Sequence, residues 1–339
     1  MTSIKAFFVQ LGQDIVSVSF TLFKVMIPAI VVVKILTELG AVTYLTLLLS
    51  PLMGIVGLPE SMGVVWATTI LTNLYTGLFV LYDLLLQAPL EQPMTVAEVS
   101  VLGALMLFAH ALPVEVAIAK KSGVNIWVTL LMRIGGGFLF GWLLYLIYDL
   151  NGWMQTPAQL VWQPEMSTDT SLVGWMGDQL KSLLVIQLII VALLFVLNLL
   201  KVLGIERLMV WLLRPVLRVL GISQEATSIT IVGITLGLSF GGGLLIHEAK
   251  KGHVPARDVF MAITLLGLLH SLIEDTLLVL LLGADINAIL WGRLLFSFVV
   301  IALLARLLNF VDEPFCRRYL YSAPEESKAS AVMPVTEKS

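Results

Sequence analysis

Apolar residues in this chain come in long unbroken runs, unlike the alternating pattern of a half-buried strand or the single apolar stripe of a surface helix. Runs near the ~20 residues that a helix needs to cross a bilayer cover about 20–38, 125–148, 182–200 and 286–309, and further apolar stretches cover about 96–119 and 256–282. All six are expected to be transmembrane helices. Between them, residues 61–86 and 225–249 are rich in Thr and Ser and interrupted by Gly. The stretches 42–56 and 206–220 are amphipathic and contain Pro51 and Pro215, which predicts helices lying along the membrane surface. Residues from about 312 onward, with Pro314, Pro324, Glu325, Glu326 and Ser327, read as a flexible tail.

The pattern is written twice. Leu36, Leu39, Gly40, Leu48, Leu49, Pro51, Gly57, Ile70, Leu74, Gly77 and Leu81 recur 164 positions later. After a loop four residues longer in the first copy, the offset becomes 160, and His110, Leu112, Gly123, Ile126, Leu130, Arg133 and Phe138 recur as His270, Leu272, Gly283, Ile286, Leu290, Arg293 and Phe298. Chance does not hold such a register. Five parts are expected: an N-terminal cytoplasmic segment 1–19, a first repeat 20–148, an external acidic loop 149–180, a second repeat 181–310 and a flexible cytoplasmic tail 311–339.

Composition removes the soluble alternative. The 339 residues are 58% hydrophobic and 13% charged, with a mean hydropathy of +0.97, against about a quarter charged in a soluble domain. Nothing points to nucleic acid, and no cleavable signal is expected. The lone Cys316 lies in the polar tail, so intramembrane disulfides and thiolate metal sites are excluded.

Charge then sets topology. Lys201, Arg207, Arg214 and Arg218 fall within 201–218, whereas the equivalent 37–54 has no Lys or Arg, so the first is expected in the cytoplasm and the second outside. Lys120 and Lys121, then Lys250, Lys251 and Arg257, mark further cytoplasmic turns; Glu91, Asp149, Glu165, Asp169 and Asp178 mark external loops. These assignments agree if 61–86 and 225–249 each enter and return on one side as re-entrant hairpins, with arms of ~12 residues, or roughly 18 Å of helix. Each copy then crosses three times, and an odd number of crossings inverts the second copy. The expected fold is an all-α polytopic membrane protein of two inverted-topology repeats, each with three transmembrane helices, a surface amphipathic helix and a re-entrant hairpin.

Candidate chemistry concentrates at the hairpin tips and in two later helices. The tips hold Thr69, Thr72, Asn73, Thr76 and Gly77 in the first copy and Ser239, Gly241, Gly242 and Gly243 in the second. Non-helical backbone at membrane depth is tolerated only where protein buries it or water reaches it, and transporters with inverted repeats place such elements around the solute. The alternative is close packing through small residues. Ionisable residues inside a membrane are costly and default to function. His110 and His270 are repeat partners, each followed five residues later by an acid, Glu115 or Asp275, and Glu274 adds a third carboxylate. Pro113 is expected to break its helix, although Ile273 stands in its place in the second copy. These groups are candidates to bind a polar solute, relay protons, or hold a divalent cation through His110, Glu115, His270 and Glu274. Structural pairing of each acid with Arg133 or Arg293 is the alternative.

Other features weigh less. His247 and Glu248 with His253 miss the four-residue spacing of a zinc-protease helix. Lys24 and Lys34 are expected to snorkel, and Trp142, Tyr145 and Tyr148 to form an interfacial belt. No nucleophile and base stand at usable spacing, so an enzyme is not expected. With no phosphate-binding loop, energy would come from an ion gradient, H+ or Na+, or from a partner; no bound cofactor is expected.

One family resemblance follows from these residues. A surface helix leading to Leu58-Pro59-Glu60, a small-residue hairpin containing Gly77, and a helix reading Phe108-Ala109-His110-Ala111-Leu112-Pro113-Val114-Glu115 resemble the nucleoside-recognition, or Gate, domain. That domain occurs in ferrous-iron permeases, concentrative nucleoside transporters and spore-maturation membrane proteins. The resemblance spans 20–310 as two Gate units. Iron-transport members carry a Cys before the Leu-Pro-Val segment, where this chain has Ala109-His110. The resemblance implies a secondary transporter in a bacterial inner membrane with both termini cytoplasmic. It would move a small polar, nucleoside-like solute by alternating access at a midplane site, with lipid as its surroundings and a homo-oligomer or partner membrane protein left open. The alternatives are a divalent metal cation transporter and a non-transporting scaffold or ligand sensor.

Overall fold

Each long apolar run folds as a helix, because only internal hydrogen bonding satisfies the backbone in hydrocarbon. The computed structural model describes residues 4–87, 92–161, 171–237, 243–248 and 254–322, and no strand occurs among them. The first copy supplies α1 (Ile4–Glu38), α2 (Ala41–Ile55), α3 (Met62–Leu71), α4 (Leu74–Gln87), α5 (Val96–Phe108), α6 (Leu112–Lys121) and α7 (Ile126–Asn151, with a π turn at Leu131–Gly135). The second supplies α8 (Leu172–Val202), α9 (Ile205–Val219), α10 (Gln224–Leu236), α11 (243–248), α12 (Ala256–Leu269), α13 (Leu272–Leu280) and α14 (Asn287–Leu308, opening on a π turn at Asn287–Gly292), followed by α15 (Glu313–Tyr319). Among the described residues, six segments are long and apolar enough to cross a membrane: α1, α5 with α6, α7, α8, α12 with α13, and α14.

The sequence repeat reaches the helix boundaries. α1 and α8 end at Glu38 and Val202, and α2 and α9 run 41–55 and 205–219, an offset of 164 at every point. Gly40 and Gly204 enter α2 and α9 with φ of 70° and 80°, a conformation open to glycine at little cost. Past the longer loop, α5 and α12 begin at 96 and 256 and α6 and α13 at 112 and 272, an offset of 160. The breaks between these helices pass through Ala111 and Ser271, two non-glycine residues at φ of 50° and 47° in equivalent positions. Pro113 lies within the first turn of α6, so the break precedes it, and the second copy breaks alike with Ile273 there.

The described chain divides into two compact units. The first comprises Met1–Ala111, Phe138–Ile205 and Ile273–Ile289; the second comprises Leu112–Gly137, Glu206–Leu272 and Leu290–Ser339. Neither is a copy of the repeat alone. The first holds most of the first copy with α8 and α13 of the second, and the second holds the rest of the second copy with α6 and the start of α7 of the first.

Within the first unit, α1 packs on α8, the equivalent helix of the other copy. Phe7 stacks near Phe195 at 6.1 Å, Asn198 donates to Asp14 at 3.3 Å, and Lys34 lies 5.5 Å over the Trp175 ring. Early residues of α1 thus meet late residues of α8, so the two helices run antiparallel. α3 and α4 form a tight hairpin with Thr72 and Asn73 as its turn. Their 10 and 14 residues span about 15 and 21 Å, short of a ~30 Å hydrocarbon core. A Thr95–Glu98 capping box starts α5, and the Trp66 indole donates to the Leu105 carbonyl at 3.2 Å.

In the second unit, α12 packs on α10 and α14. Asp258 on α12 accepts from the Ser223 amide at 3.1 Å, before α10. α11 lies within the stretch expected as the second hairpin, whose expected tip residues Ser239, Gly241 and Gly242 lie outside the described residues, as do Glu91, Lys250, Lys251 and His253.

Several boundaries differ from the sequence reading, each for a local reason. α1 begins at Ile4, not near 20, because Asp14 finds Gln10 and Asn198 as partners. α8 begins at Leu172 because Ser171 caps it and Lys181 pairs with Asp178. The segment after 311 is ordered through 322: α15 forms, and Asn125 and Ser322 amides donate to the Leu320 and Gly123 carbonyls. Tyr148 is buried and donates to Asp285 at 3.0 Å, so it is no member of an interfacial belt.

Candidate functional site

Each of the two helix breaks carries a buried histidine facing a buried carboxylate from the other copy. In the first unit α5 ends at Phe108, the Ala111 amide donates to the Thr69 carbonyl at 3.2 Å, and His110 is held by Nδ1 against the Met106 carbonyl at 3.0 Å. Its Nε2 then faces Asp275 Oδ2 at 3.8 Å. In the second unit His270 Nδ1 meets the Leu266 carbonyl at 2.7 Å and Nε2 faces Glu115 Oε1 at 3.2 Å. The partners are reciprocal: Glu115 and Asp275 are themselves repeat equivalents. All four residues are buried.

The geometry orients each imidazole. A carbonyl only accepts, so Nδ1 of each histidine carries a hydrogen. Nε2 of each imidazole is thereby the nitrogen left to face the carboxylate.

Two buried arginines complete the surroundings. Arg133, only 1% exposed, forms an ion pair with Glu115 in the second unit and runs past Gly267. Arg293, at 0%, donates from Nε to the Leu268 carbonyl at 3.0 Å and from Nη2 to the His270 carbonyl at 3.2 Å. It thereby serves carbonyls that the end of α12 leaves without an intrahelical donor, and a cation there also suits the helix dipole. The arginine pairing weighed from sequence is thus present for Glu115. In the first unit the extra acid, Glu274, accepts from the Tyr75 hydroxyl at 2.9 Å. Tyr75 stands among the hairpin residues without any mark in the sequence, since nothing local signals a partner 199 positions away.

The hairpin residues serve the hairpin first. Thr69 and Thr72 hydroxyls donate to the Val65 and Thr68 carbonyls at 2.8 and 2.6 Å, and Asn73 Oδ1 caps α4 by accepting from the Thr76 amide at 2.9 Å and its hydroxyl at 3.1 Å. Gly77 is where α4 crosses Thr69. Gly243 begins α11 with open space about it. His247 lies 4.0 Å from Glu248 within α11. Of the expected metal ligands, Glu115 and His270 come together in the second unit, while His110 and Glu274 lie in the first.

Comparison with known proteins adds a relative. An "uncharacterized membrane protein YvoD" of Bacillus subtilis (strain 168) is 28% identical over 280 residues, covering 81% of this chain and 86% of that protein. No family model and no solved structure matches the chain. With six membrane-length apolar helices and a membrane-protein relative, the chain is a multi-pass membrane protein.

Proposed function

We propose that the protein is a secondary transporter of a small polar, nucleoside-like solute, built from two inverted repeats that work by alternating access and use a proton gradient. The observation that carries this is the duplicated break: two equivalent helices interrupted at Ala111 and Ser271, each with a buried His facing a buried acid. Buried ionisable groups at membrane depth are expensive, and broken helices are the usual framework of a transport site. The antiparallel packing of α1 on α8, equivalent elements of the two copies, supports inversion, and the short α3–α4 hairpin supports a re-entrant element. The Gate resemblance supplies the solute class.

A divalent-cation substrate is the second reading, favoured by the pairing of an imidazole nitrogen with a carboxylate oxygen at 3.2 Å in the second unit. Thermal stabilisation of the purified protein by nucleosides, nucleobases and divalent metals, with His110→Ala/His270→Ala alongside, separates the readings, since a ligand specific to the folded state raises its stability. The proposal expects a shift with a nucleoside that the double variant loses. A shift with metal alone, lost in the variant, replaces the solute by a cation. No shift with any compound contradicts transport and favours a membrane scaffold.

A further inference from the structure

One face of α9 carries a row of arginines that the fold does not use. Arg207, Arg214 and Arg218 stand at i, i+7 and i+11, within about 40° of one another on a helix of 3.6 residues per turn. Trp211, 72% exposed, sits in the same row between them. None of the three arginines has a hydrogen bond or ion pair among the described residues. With Val210, Trp211, Leu212 and Pro215 they line one open surface, all of it on α9. Beside the row runs an exposed apolar strip of Leu208, Leu212 and Val219, and another face seats the helix through buried Leu213 and Leu217.

The equivalent helix shows that the architecture does not require this charge. α2 has the same length, the same proline position at Pro51 and buried Met53 where α9 has Leu217, yet it carries Thr43, Ser50 and Gly54 in place of the three arginines. A helix seated on one face, apolar on the next and cationic on the third matches the boundary of a bilayer, where acyl chains meet headgroups. Trp is a residue of that boundary, and clustered arginines there favour anionic headgroups.

The geometry points to α9 as a binding site for an anionic phospholipid, with the headgroup phosphate held by Arg207, Arg214 and Arg218 and the acyl chains lying along Leu208, Leu212 and Val219. Each arginine near a membrane surface favours an anionic lipid by about five-fold. The row therefore gives a preference on the order of a hundred-fold when all three engage.

Native mass spectrometry of the full-length protein, titrated with phosphatidylglycerol and with phosphatidylcholine, reads this directly. The wild type is expected to retain phosphatidylglycerol selectively. Arg207→Gln/Arg214→Gln/Arg218→Gln is expected to lose that selectivity, and Arg317→Gln/Arg318→Gln, at another basic surface, to keep it. Arg214→Gln alone should lower retention several-fold, which preserves the test if the triple variant does not fold. A wild type without preference, an unaltered preference in the α9 variants, or equal loss in the Arg317/Arg318 control overturns the assignment.

Discussion

Gly77 is held by what lies opposite it, not by its own torsion. A Cβ there would overlap the Thr69 hydroxyl and come within 3.0 Å of Met106 Cε. Overpacking of this kind costs about 1–3 kcal/mol, so Gly77→Ala should lower the Tm of the purified protein, and Thr69→Ala in the same chain should restore part of the loss. An unchanged Tm in Gly77→Ala would remove the close-packing account. The Glu115–Arg133 pair follows another logic, because removing one member of a buried pair strands the other at about 3–5 kcal/mol. Arg133→Gln should therefore destabilise more than Glu115→Gln/Arg133→Gln, measured by thermal unfolding; equal losses would show that the pairing carries no stability. His110, His270 and their acids are legible in the sequence because duplication singles them out. The fate of the hairpin hydroxyls is not, since a Thr that bonds back to its own helix leaves no trace in the sequence.

The element that most needs explanation is the break between α5 and α6 and its equivalent between α12 and α13. Composition does not announce it: both stretches read as continuous apolar crossings, and Pro113, the one visible breaker, lies just after the break in one copy and is absent from the other. The chain turns at Ala111 and Ser271 in the left-handed region, which costs a non-glycine residue roughly 1–2 kcal/mol and a β-branched residue more. Ala111→Val is expected to lower Tm while Ala111→Gly does not; a Val variant as stable as wild type would mean that the break relaxes elsewhere. Helix ends are legible where glycine marks them, at Gly40 and Gly204. They are hidden at the starts of α1 and α8, where polar residues such as Asp14 and Lys181 find partners along or across helices.

For the whole molecule, the repeat organises the fold, and the proposed function rests on it. The chain leaves the first unit after Ala111 in the first copy and enters it at Ile273 in the second, near-equivalent points of the two copies. The short helix that carries each copy's acid, α6 or α13, thus lies in the unit that holds the other copy's histidine. Such reciprocity makes the two His–acid pairs related by the repeat, so His110→Ala and His270→Ala should each impair uptake into proteoliposomes. Full activity in either single variant would confine the chemistry to one pair. The existence of two copies is plain in the sequence; their exchange is not, because it depends on contacts between residues about 160 positions apart.

Inversion is the claim on which the transport account stands, and the turns before α2 and α9 test it most directly. Leu39 and Leu203 are equivalent residues in those turns, 73% and 66% exposed. Leu39→Cys and Leu203→Cys, each placed in a Cys316→Ser background that removes the single native cysteine, can be challenged in intact cells with a membrane-impermeant maleimide. Inverted repeats predict that the Leu39→Cys variant is labelled from outside and the Leu203→Cys variant only after permeabilisation. Labelling of both variants from the same side would contradict the inversion and the alternating-access mechanism built on it.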